Sequence, residues 1–237
     1  MVNIDTVYQR VLILANKEQR GYITPQEYNL YANQAQMEIF EQYFYDLNQA
    51  HRNVGNDTTY ADVDDMLEEK LQKFETQDDA TAIALYTSSG SGRTLPNYVY
   101  RVSRVESGTL SIDCDILSTK DFRDAISGGP LTRPTATRPI ANIRGNMIFV
   151  YTSGFTSPSN VFYFKKPNKV SWGYFILKEK ALYNSDPTKT THFELHASEE
   201  TELVYKVLKL AGFGMKRDDV AKGGQGLESL QIQQEKQ

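Results

Sequence analysis

The residues Asn16 to Glu27, NKEQRGYITPQE, have the spacing of a calcium-binding EF-hand loop. Such a loop places oxygen ligands at positions 1, 3 and 5, a glycine at position 6 and a bidentate glutamate at position 12. Gly21 and Glu27 meet the last two requirements. Arg20, however, falls on a ligand position, where its positive charge would repel a divalent cation. The residues at the ligand positions therefore argue against a calcium site.

The second half of the same stretch has the pattern of a helix N-terminus. Thr24 and Glu27 are spaced as a capping box, in which each side chain bonds to the backbone N–H of the other residue. Pro25 suits the first helical position. Ile23 and Tyr28 are placed to form a hydrophobic staple across the start of the helix. The pattern predicts that a helix begins at Pro25.

Three further groups of residues could carry chemistry, but each has a simpler structural interpretation. His192 and His196 in HFELH lie four residues apart, yet two histidines are an incomplete zinc site and the metalloprotease position of the glutamate is not matched. The glycine-rich SSGSGRT lacks the lysine and spacing of a phosphate-binding loop. Cys114 is the single cysteine, and we predict a buried thiol rather than a nucleophile. We therefore predict no catalytic residue, no metal site, no cofactor and no enzymatic activity.

Charge and hydropathy restrict the partners of the protein. The chain has 237 residues, with 26 Lys and Arg against 30 Asp and Glu, and a formal net charge of −4. This balance argues against non-specific nucleic-acid binding, which needs an excess of positive charge to neutralise phosphates. The N-terminal residues MVNIDTVYQRVLILANK have neither a signal-peptide pattern nor the length of a membrane span. We expect a soluble protein that is made in the cytoplasm and has no membrane partner.

Hydrophobic periodicity predicts helical ends and a β-rich middle. A helical period marks the N-terminal part of the chain and returns at Ser198, whereas a period of two begins near Ala82. PIANIRGNMIFVYTS predicts a β-hairpin, and VFYFK and SWGYFIL predict further antiparallel strands. We expect an α+β fold whose helical N- and C-terminal segments pack together, with an antiparallel β-rich domain inserted between them. The expected bounds are 1–80 and 197–224 for a helical assembly domain, 81–196 for the insertion and 225–237 for a polar C-terminal tail.

The helix predicted from Pro25 to about Asn48 has two apolar faces. The first stripe consists of Tyr28, Tyr31, Ala35 and Ile39, and the second of Met37, Phe40, Phe44 and Leu47. One stripe suffices to pack a helix on its own core, so the second stripe packs either inside the same domain or against a neighbouring subunit. The polar tail carries further apolar side chains. The candidate interface residues are Tyr31, Met37, Phe40, Phe44, Leu47, Leu227, Leu230 and Ile232.

Both ends of the chain resemble one group of bacteriophage proteins. The stretch LANKEQRGYITPQEYNLYANQAQMEIFEQYFYDLN resembles the N-terminal motif of structural proteins of tailed phages, notably crAss-like phages and marine short-tailed phages. NKVSWGYFILKEKALYN, HFELHASEETELVYKVLKLAGFGMK and LQIQQEKQ resemble the C-terminal part of the same group. The β-rich middle is similar to the group only loosely, and the group provides no catalytic residue to carry over.

The resemblance implies a virion protein of the head–tail connector or adaptor type. Such proteins form a ring below the portal, often twelvefold, which continues the DNA channel and gives the tail its attachment site. The implied partners are further copies of this chain, the portal protein and neighbouring tail ring proteins, with DNA only as passing cargo. Two alternatives stay open, namely a tail tube or tail-fibre attachment subunit and, less favoured, a phage-encoded enzyme.

Overall fold

A computed structural model describes residues 1–15, 23–52, 61–78, 92–107, 112–151, 159–214 and 218–235. The fold is α+β, as the periodicity predicts. In chain order the elements are α1 (Ile4–Ala15), α2 (Pro25–Arg52), α3 (Ala61–Gln72), β1 (Glu75–Asp78), β2 (Arg93–Thr94), β3 (Val99–Ser107), β4 (Ile112–Asp113), β5 (Asp115–Ile116), α4 (Thr119–Ser127), β6 (Ile140–Arg144), β7 (Met147–Tyr151), β8 (Ser159–Lys165), β9 (Tyr174–Leu177), β10 (Lys180–Tyr183), a 3-10 turn (Ala197–Glu199), α5 (Glu200–Gly214) and α6 (Asp218–Glu235).

The chain divides into two compact units. The helical unit comprises Met1–Lys73 and Pro167–Gln237, and the β unit comprises Phe74–Lys166. The periodicity placed the end of the insertion at residue 196, but residues 167–196 belong to the helical unit. These residues include the strands β9 and β10. A period of two in the sequence predicts extended backbone, but it does not indicate which unit an extended segment joins.

The helical unit is built around α5, which packs against α1, α2 and α6. Its apolar face is buried as the helical spacing predicts; the buried residues are Leu203, Val204, Val207, Leu208 and Ala211. α1 buries a complementary face through Ile4, Val7, Tyr8, Val11 and Ala15. The N- and C-terminal helices therefore share one core, although they are separated in sequence by the β unit.

The start of α2 confirms the capping box. The N–H of Thr24 donates to Glu27 Oε2 at 3.0 Å, and the N–H of Glu27 donates to Thr24 Oγ1 at 3.3 Å. Ile23 and Tyr28 are both buried, as a hydrophobic staple requires. The remainder of the EF-hand-like stretch, residues 16–22, lies outside the described residues. α2 continues to Arg52, beyond the expected end at Asn48.

Within the residues that the structure describes, the β unit contains two four-stranded sheets, in the orders β1-β8-β3-β4 and β2-β7-β6-β5. β6 and β7 form the predicted hairpin, with Gly145 at its turn adopting a φ of 58°. Most strand pairs are antiparallel, but β5 and β6 pair in parallel and are connected through α4. The stretch near Ala82, where the period of two begins, lies outside the described residues, and SWGYFIL contributes to the helical unit instead.

Both sheets contribute side chains to one core of the β unit. This core includes Val105 and Val161 from one sheet and Ile148 and Val150 from the other, together with Cys114. Cys114 lies between β4 and β5, which belong to different sheets, and its N–H donates to the carbonyl of Val105 at 2.8 Å. Burial, reinforced by neighbouring carboxylates, raises the pKa of the Cys114 thiol to about 12. The prediction of a buried thiol is confirmed.

We expect Thr24→Ala to lower the free energy of unfolding by about 1 kcal/mol, because a helix N-cap loses its side-chain acceptor. Urea denaturation at pH 7 measures this, with Thr24→Ser as the matched control. Hydrogen bonds from Thr24 lower the pKa of Glu27. The stabilisation linked to Glu27 is therefore present above the ordinary glutamate pKa and is lost as the pH falls through the lowered value. The difference between wild type and Thr24→Ala should shrink in acid, and equal stabilities at pH 7 would contradict the cap.

Candidate assembly surface

The structure separates the interface residues predicted on α2 into buried and partly exposed groups. Phe40 and Phe44 pack edge to face with ring centroids 5.1 Å apart, and their side chains are only 0% and 8% exposed. Both are core residues rather than interface residues, because α2 packs against α3 as well as α5 inside the helical unit and these two members of the second stripe are buried there. Tyr31, Met37 and Leu47 are partly exposed.

The C-terminal candidates lie on α6, which occupies most of the segment expected to be a polar tail. Leu227 and Leu230 are 39% and 57% exposed. Residues three apart share a helix face, so these two leucines form one apolar patch, which we call the α6 patch. Ile232 also belongs to α6, but its side chain is outside the described part of the structure.

Charged side chains hold α6 against α5. Glu228 is buried and accepts hydrogen bonds from Lys206 and Lys209, each at 2.8 Å. Lys206 is itself buried and also donates to Gln42 of α2 at 3.3 Å. Gly224 permits the close approach, because a Cβ at this position would lie 3.0 Å from the backbone nitrogen of Lys209. The opposite face of α6 is thereby left to present its leucines to solvent.

Burial and pairing oppose each other in this charged cluster. Burial disfavours the ionised forms of Glu228 and Lys206. Their mutual hydrogen bond and the neighbouring charges outweigh this effect, so the pKa of Glu228 is lowered and the pKa of Lys206 is raised. Glu202 lies 3.3 Å from Lys206 Nζ. There burial outweighs the lysine, and it raises the pKa of Glu202 to about 7, with Glu199 also favouring the protonated form.

The hairpin of β9 and β10 is another exposed apolar surface of the helical unit. It forms a separate two-stranded sheet with Phe175 opposite Leu182 and Ile176 opposite Ala181. Adjacent residues of a strand point to opposite faces, so both faces of the hairpin are apolar. The exposed fractions are 46% for Phe175, 71% for Ile176, 54% for Leu177 and 40% for Leu182, and we call these four residues the hairpin tip.

The base of the hairpin is fixed by aromatic packing. The Trp172 ring stacks on Tyr174 with centroids 5.9 Å apart and contacts Tyr183 at 5.8 Å. The Trp172 ring also contacts the Tyr8 ring, with centroids 4.6 Å apart, and its indole N–H donates to Asp5 Oδ1 at 2.9 Å. Both strands are therefore tied to α1 through one tryptophan, while the tip projects into solvent.

Three amide side chains of α2 hold the backbone that precedes the hairpin. They are Asn29, Asn33 and Gln36, which we call the amide ladder. Asn33 accepts from the N–H of Val170 and donates to its carbonyl, both at 2.9 Å. Asn29 accepts from the N–H of Trp172 at 2.7 Å, and Gln36 donates to the carbonyl of Asn168 at 2.8 Å. Their helical spacing is visible in the sequence, but no local pattern indicates that they bond to a distant backbone segment.

The histidines considered for a metal site have structural partners. His192 Nδ1 accepts from the N–H of Ile4 at 3.4 Å. His196 caps the 3-10 turn, where its Nδ1 accepts from the N–H of Ser198 at 3.3 Å. Among the described residues, no group of three or more His, Cys, Asp or Glu side chains is placed to hold a metal ion. None of the helices in the described ranges combines the length and apolarity that crossing a membrane requires.

Comparison of the chain with protein-family models gave no matching family, and comparison with curated proteins gave no matching relative. The inference of function therefore depends on the chain's own exposed surfaces and on the motifs of its sequence.

We expect Glu202→Gln to change the pH dependence of stability. A raised pKa means that the folded state binds the proton more tightly, so Glu202 favours folding most below the ordinary glutamate pKa and progressively less as the pH rises to about 7. The variant should be more stable than wild type at pH 8, and its advantage should disappear or reverse at pH 4.5. The change between these pH values is on the order of 2–3 kcal/mol in the free energy of unfolding. Urea denaturation with Glu41→Gln, an exposed position, as control tests this; a difference that does not vary with pH would contradict it.

We expect the double variant Lys178→Asn, Glu179→Gly to stabilise the hairpin. Both turn residues have positive φ, 48° and 63°, a conformation that asparagine and glycine adopt more readily than lysine and glutamate. The free energy of unfolding of the helical unit should rise by about 1 kcal/mol in urea denaturation. Glu179→Ala retains the steric conflict and should not stabilise. An unchanged or lower stability of the double variant would show that the turn is not strained.

Proposed function

We propose that this chain is a non-enzymatic structural protein of a bacteriophage particle. In this proposal it is a subunit of a head–tail connector or adaptor ring that lies below the portal, continues the DNA channel and attaches the tail. The observation that carries the proposal is the hairpin tip. NKVSWGYFILKEKALYN, one of the stretches that resemble phage structural proteins, forms the hairpin whose apolar side chains are exposed in the single chain. Contiguous exposed apolar residues of this kind are typical of surfaces that bind another protein.

The α6 patch supplies a second contact surface. Leu227 and Leu230 are exposed, whereas Glu228 between them is directed to the lysines of α5. A connector subunit must bind copies of itself and also a different ring above or below. We assign the α6 patch to contact with the portal or a neighbouring tail ring protein, because its helix is held firmly enough to present the leucines in one orientation.

The charge distribution supports a channel through which DNA passes. The formal net charge is −4, and several cations are paired with carboxylates. Arg10 lies 2.8 Å from Glu200, and Lys70 lies 2.7 Å from Glu199. Paired cations release fewer counterions from DNA and so contribute less to binding. A chain with this charge distribution suits a channel through which DNA passes better than a site that binds and retains DNA.

A tail tube or tail-fibre attachment subunit is the alternative role within the same particle. That role would use the β unit as the main assembly surface, and the observation in its favour is exposed apolar area there, with Leu131 99% and Tyr98 53% exposed. A phage-encoded thiol enzyme receives less support, because burial keeps Cys114 protonated at neutral pH.

Mass spectrometry of purified virions tests the proposal. We expect a protein present in every particle, at the copy number of the portal if it is a connector and at a multiple of that number if it forms a tail tube. Cryo-electron microscopy of the same particles then locates it at the head–tail junction or farther along the tail. Absence from purified virions would contradict both roles.

Leu227→Asp combined with Leu230→Asp tests the α6 patch. Two charges on the patch should reduce incorporation into particles at least about tenfold, because each would be desolvated against an apolar partner. Ser229→Asp introduces a charge at an exposed neighbouring position and serves as the control. Circular dichroism should show both variants folded. Incorporation of the double variant at the wild-type level would remove α6 from the contact.

A further inference from the structure

We propose that the hairpin tip of one copy inserts into an apolar groove between α1 and α5 of a neighbouring copy. The partner is thus a second molecule of the same chain, bound head to tail. The inference rests on the proposed function in so far as it supplies the subunit contact of the ring. The contact itself can be tested with purified protein alone.

The groove is formed by residues of α1 and α5. It has a volume of about 260 Å³ and is lined by Arg10, Ile13, Leu14, Thr201, Val204 and Tyr205. Ile13 is 66% exposed and Leu14 is 37% exposed. The volume is below the roughly 300–1,000 Å³ of most small-molecule sites. Its size and apolar lining therefore suit a few aliphatic side chains of a protein better than a small-molecule ligand.

The hairpin tip has the complementary chemistry. It is the apolar end of a two-stranded hairpin, with Ile176 71% and Leu177 54% exposed, whereas the groove is an apolar pocket. The Trp172 stacking and the amide ladder hold the base of the hairpin, so the hairpin loses little conformational entropy when the tip binds. Preorganised apolar anchors of this kind lose less entropy on association than mobile ones.

Charges around the two surfaces match as well. The turn at the tip carries Lys178 and Glu179, and the groove is bordered by Arg10 and Glu200. Arg10 and Glu200 form an ion pair at 2.8 Å, with side chains 53% and 29% exposed. A tip seated in the groove brings one cation and one anion to a rim that carries the opposite of each. Such alternation fixes the orientation of the tip more than it adds affinity.

The choice of a second copy follows from both surfaces being present and open on one chain. Within the described part of the chain, the side chains of the tip and Ile13 and Leu14 of the groove are left exposed, while Val204, which also lines the groove, is buried. They are different surfaces, so a tip-to-groove contact is heterologous and leaves each molecule with one tip and one groove for further neighbours. Heterologous contacts generate rings when the rotation closes, which is the assembly that the proposed function requires.

Two complementary variants test the contact. Ile176→Asp disables the tip and leaves the groove intact; Ile13→Asp disables the groove and leaves the tip intact. Size-exclusion chromatography with light scattering should show wild-type protein associating, and each variant alone associating at least about tenfold more weakly. An equal mixture of the two should form a heterodimer and nothing larger, because only one intact tip and one intact groove can meet.

Controls separate this contact from misfolding and from other partners. Both substituted residues are more than half exposed, so circular dichroism should show native helix content and cooperative melting. Gln72→Asp on α3 adds a charge at another exposed position and should associate like wild type. Wild-type protein that stays monomeric, folded variants that associate normally, or a mixture that yields no heterodimer would each overturn the proposal.

Cross-linking independently tests which surfaces of two copies lie against each other. Leu177→Cys and Leu14→Cys, mixed and treated with a short bis-maleimide, should yield a heterodimeric product, while Leu177→Cys alone should not. The native Cys114 is buried, and unmodified protein treated in the same way is the control. Tip-to-tip products instead would indicate an isologous dimer and overturn the inference. If the heterodimers form but the protein is absent from virions, the contact is supported and only the proposed function is contradicted.

Discussion

Hydrogen bonds from the side chains of one helix to the backbone of a distant extended segment hold the helical unit together. The chain leaves this unit after Lys73 and returns at Pro167. On the side that faces α2, the N–H and C=O groups of the returning backbone need side-chain partners, since an unmade buried hydrogen bond costs roughly 1–3 kcal/mol. Asn33 meets this need because an amide both donates and accepts, and it pairs with both polar groups of Val170. Together with the contacts of the Trp172 ring, this ladder fixes the position of the segment that leads into the hairpin.

Both proposed contact surfaces are held in place by polar interactions, and this explains why their apolar side chains face outward. The hairpin is anchored through backbone hydrogen bonds and the tryptophan at its base. α6 is anchored through Glu228 and two lysines. A buried ion pair recovers its desolvation cost only when its geometry and further hydrogen bonds are good, and Lys206 has such a bond to Gln42. Elements fixed in this way need not bury their leucines and isoleucines internally, so those residues are available to other molecules.

Local signals in the sequence predicted most of the elements, whereas assignments that depend on distant partners were less reliable. Thr24 and Glu27 indicate the start of a helix without further information, and Gly145-Asn146 indicates a hairpin, because the interactions involved span only a few residues. Phe40 and Phe44 illustrate the limit. Helical spacing shows that they share a face, but only the packing of α3 and α5 on α2 determines that this face is internal. SWGYFIL has the alternation of a strand, and nothing local indicates that it joins the helices. The exposed tip was missed for the same reason, since an apolar strand is read as core until its neighbours are known.

The ion pairs of Glu228 also fix the rotation of α6 about its own axis. Successive residues on a helix are about 100° apart, so a slip by one position would carry the carboxylate away from both Lys206 and Lys209 and leave the buried Glu228 without its lysine partners. A helix held by leucines against leucines could make the same slip at small cost. The close approach at Gly224 adds a second fixed point on the same face. α6 is thus set in a single register, and the direction in which Leu227 and Leu230 point is determined before any partner arrives.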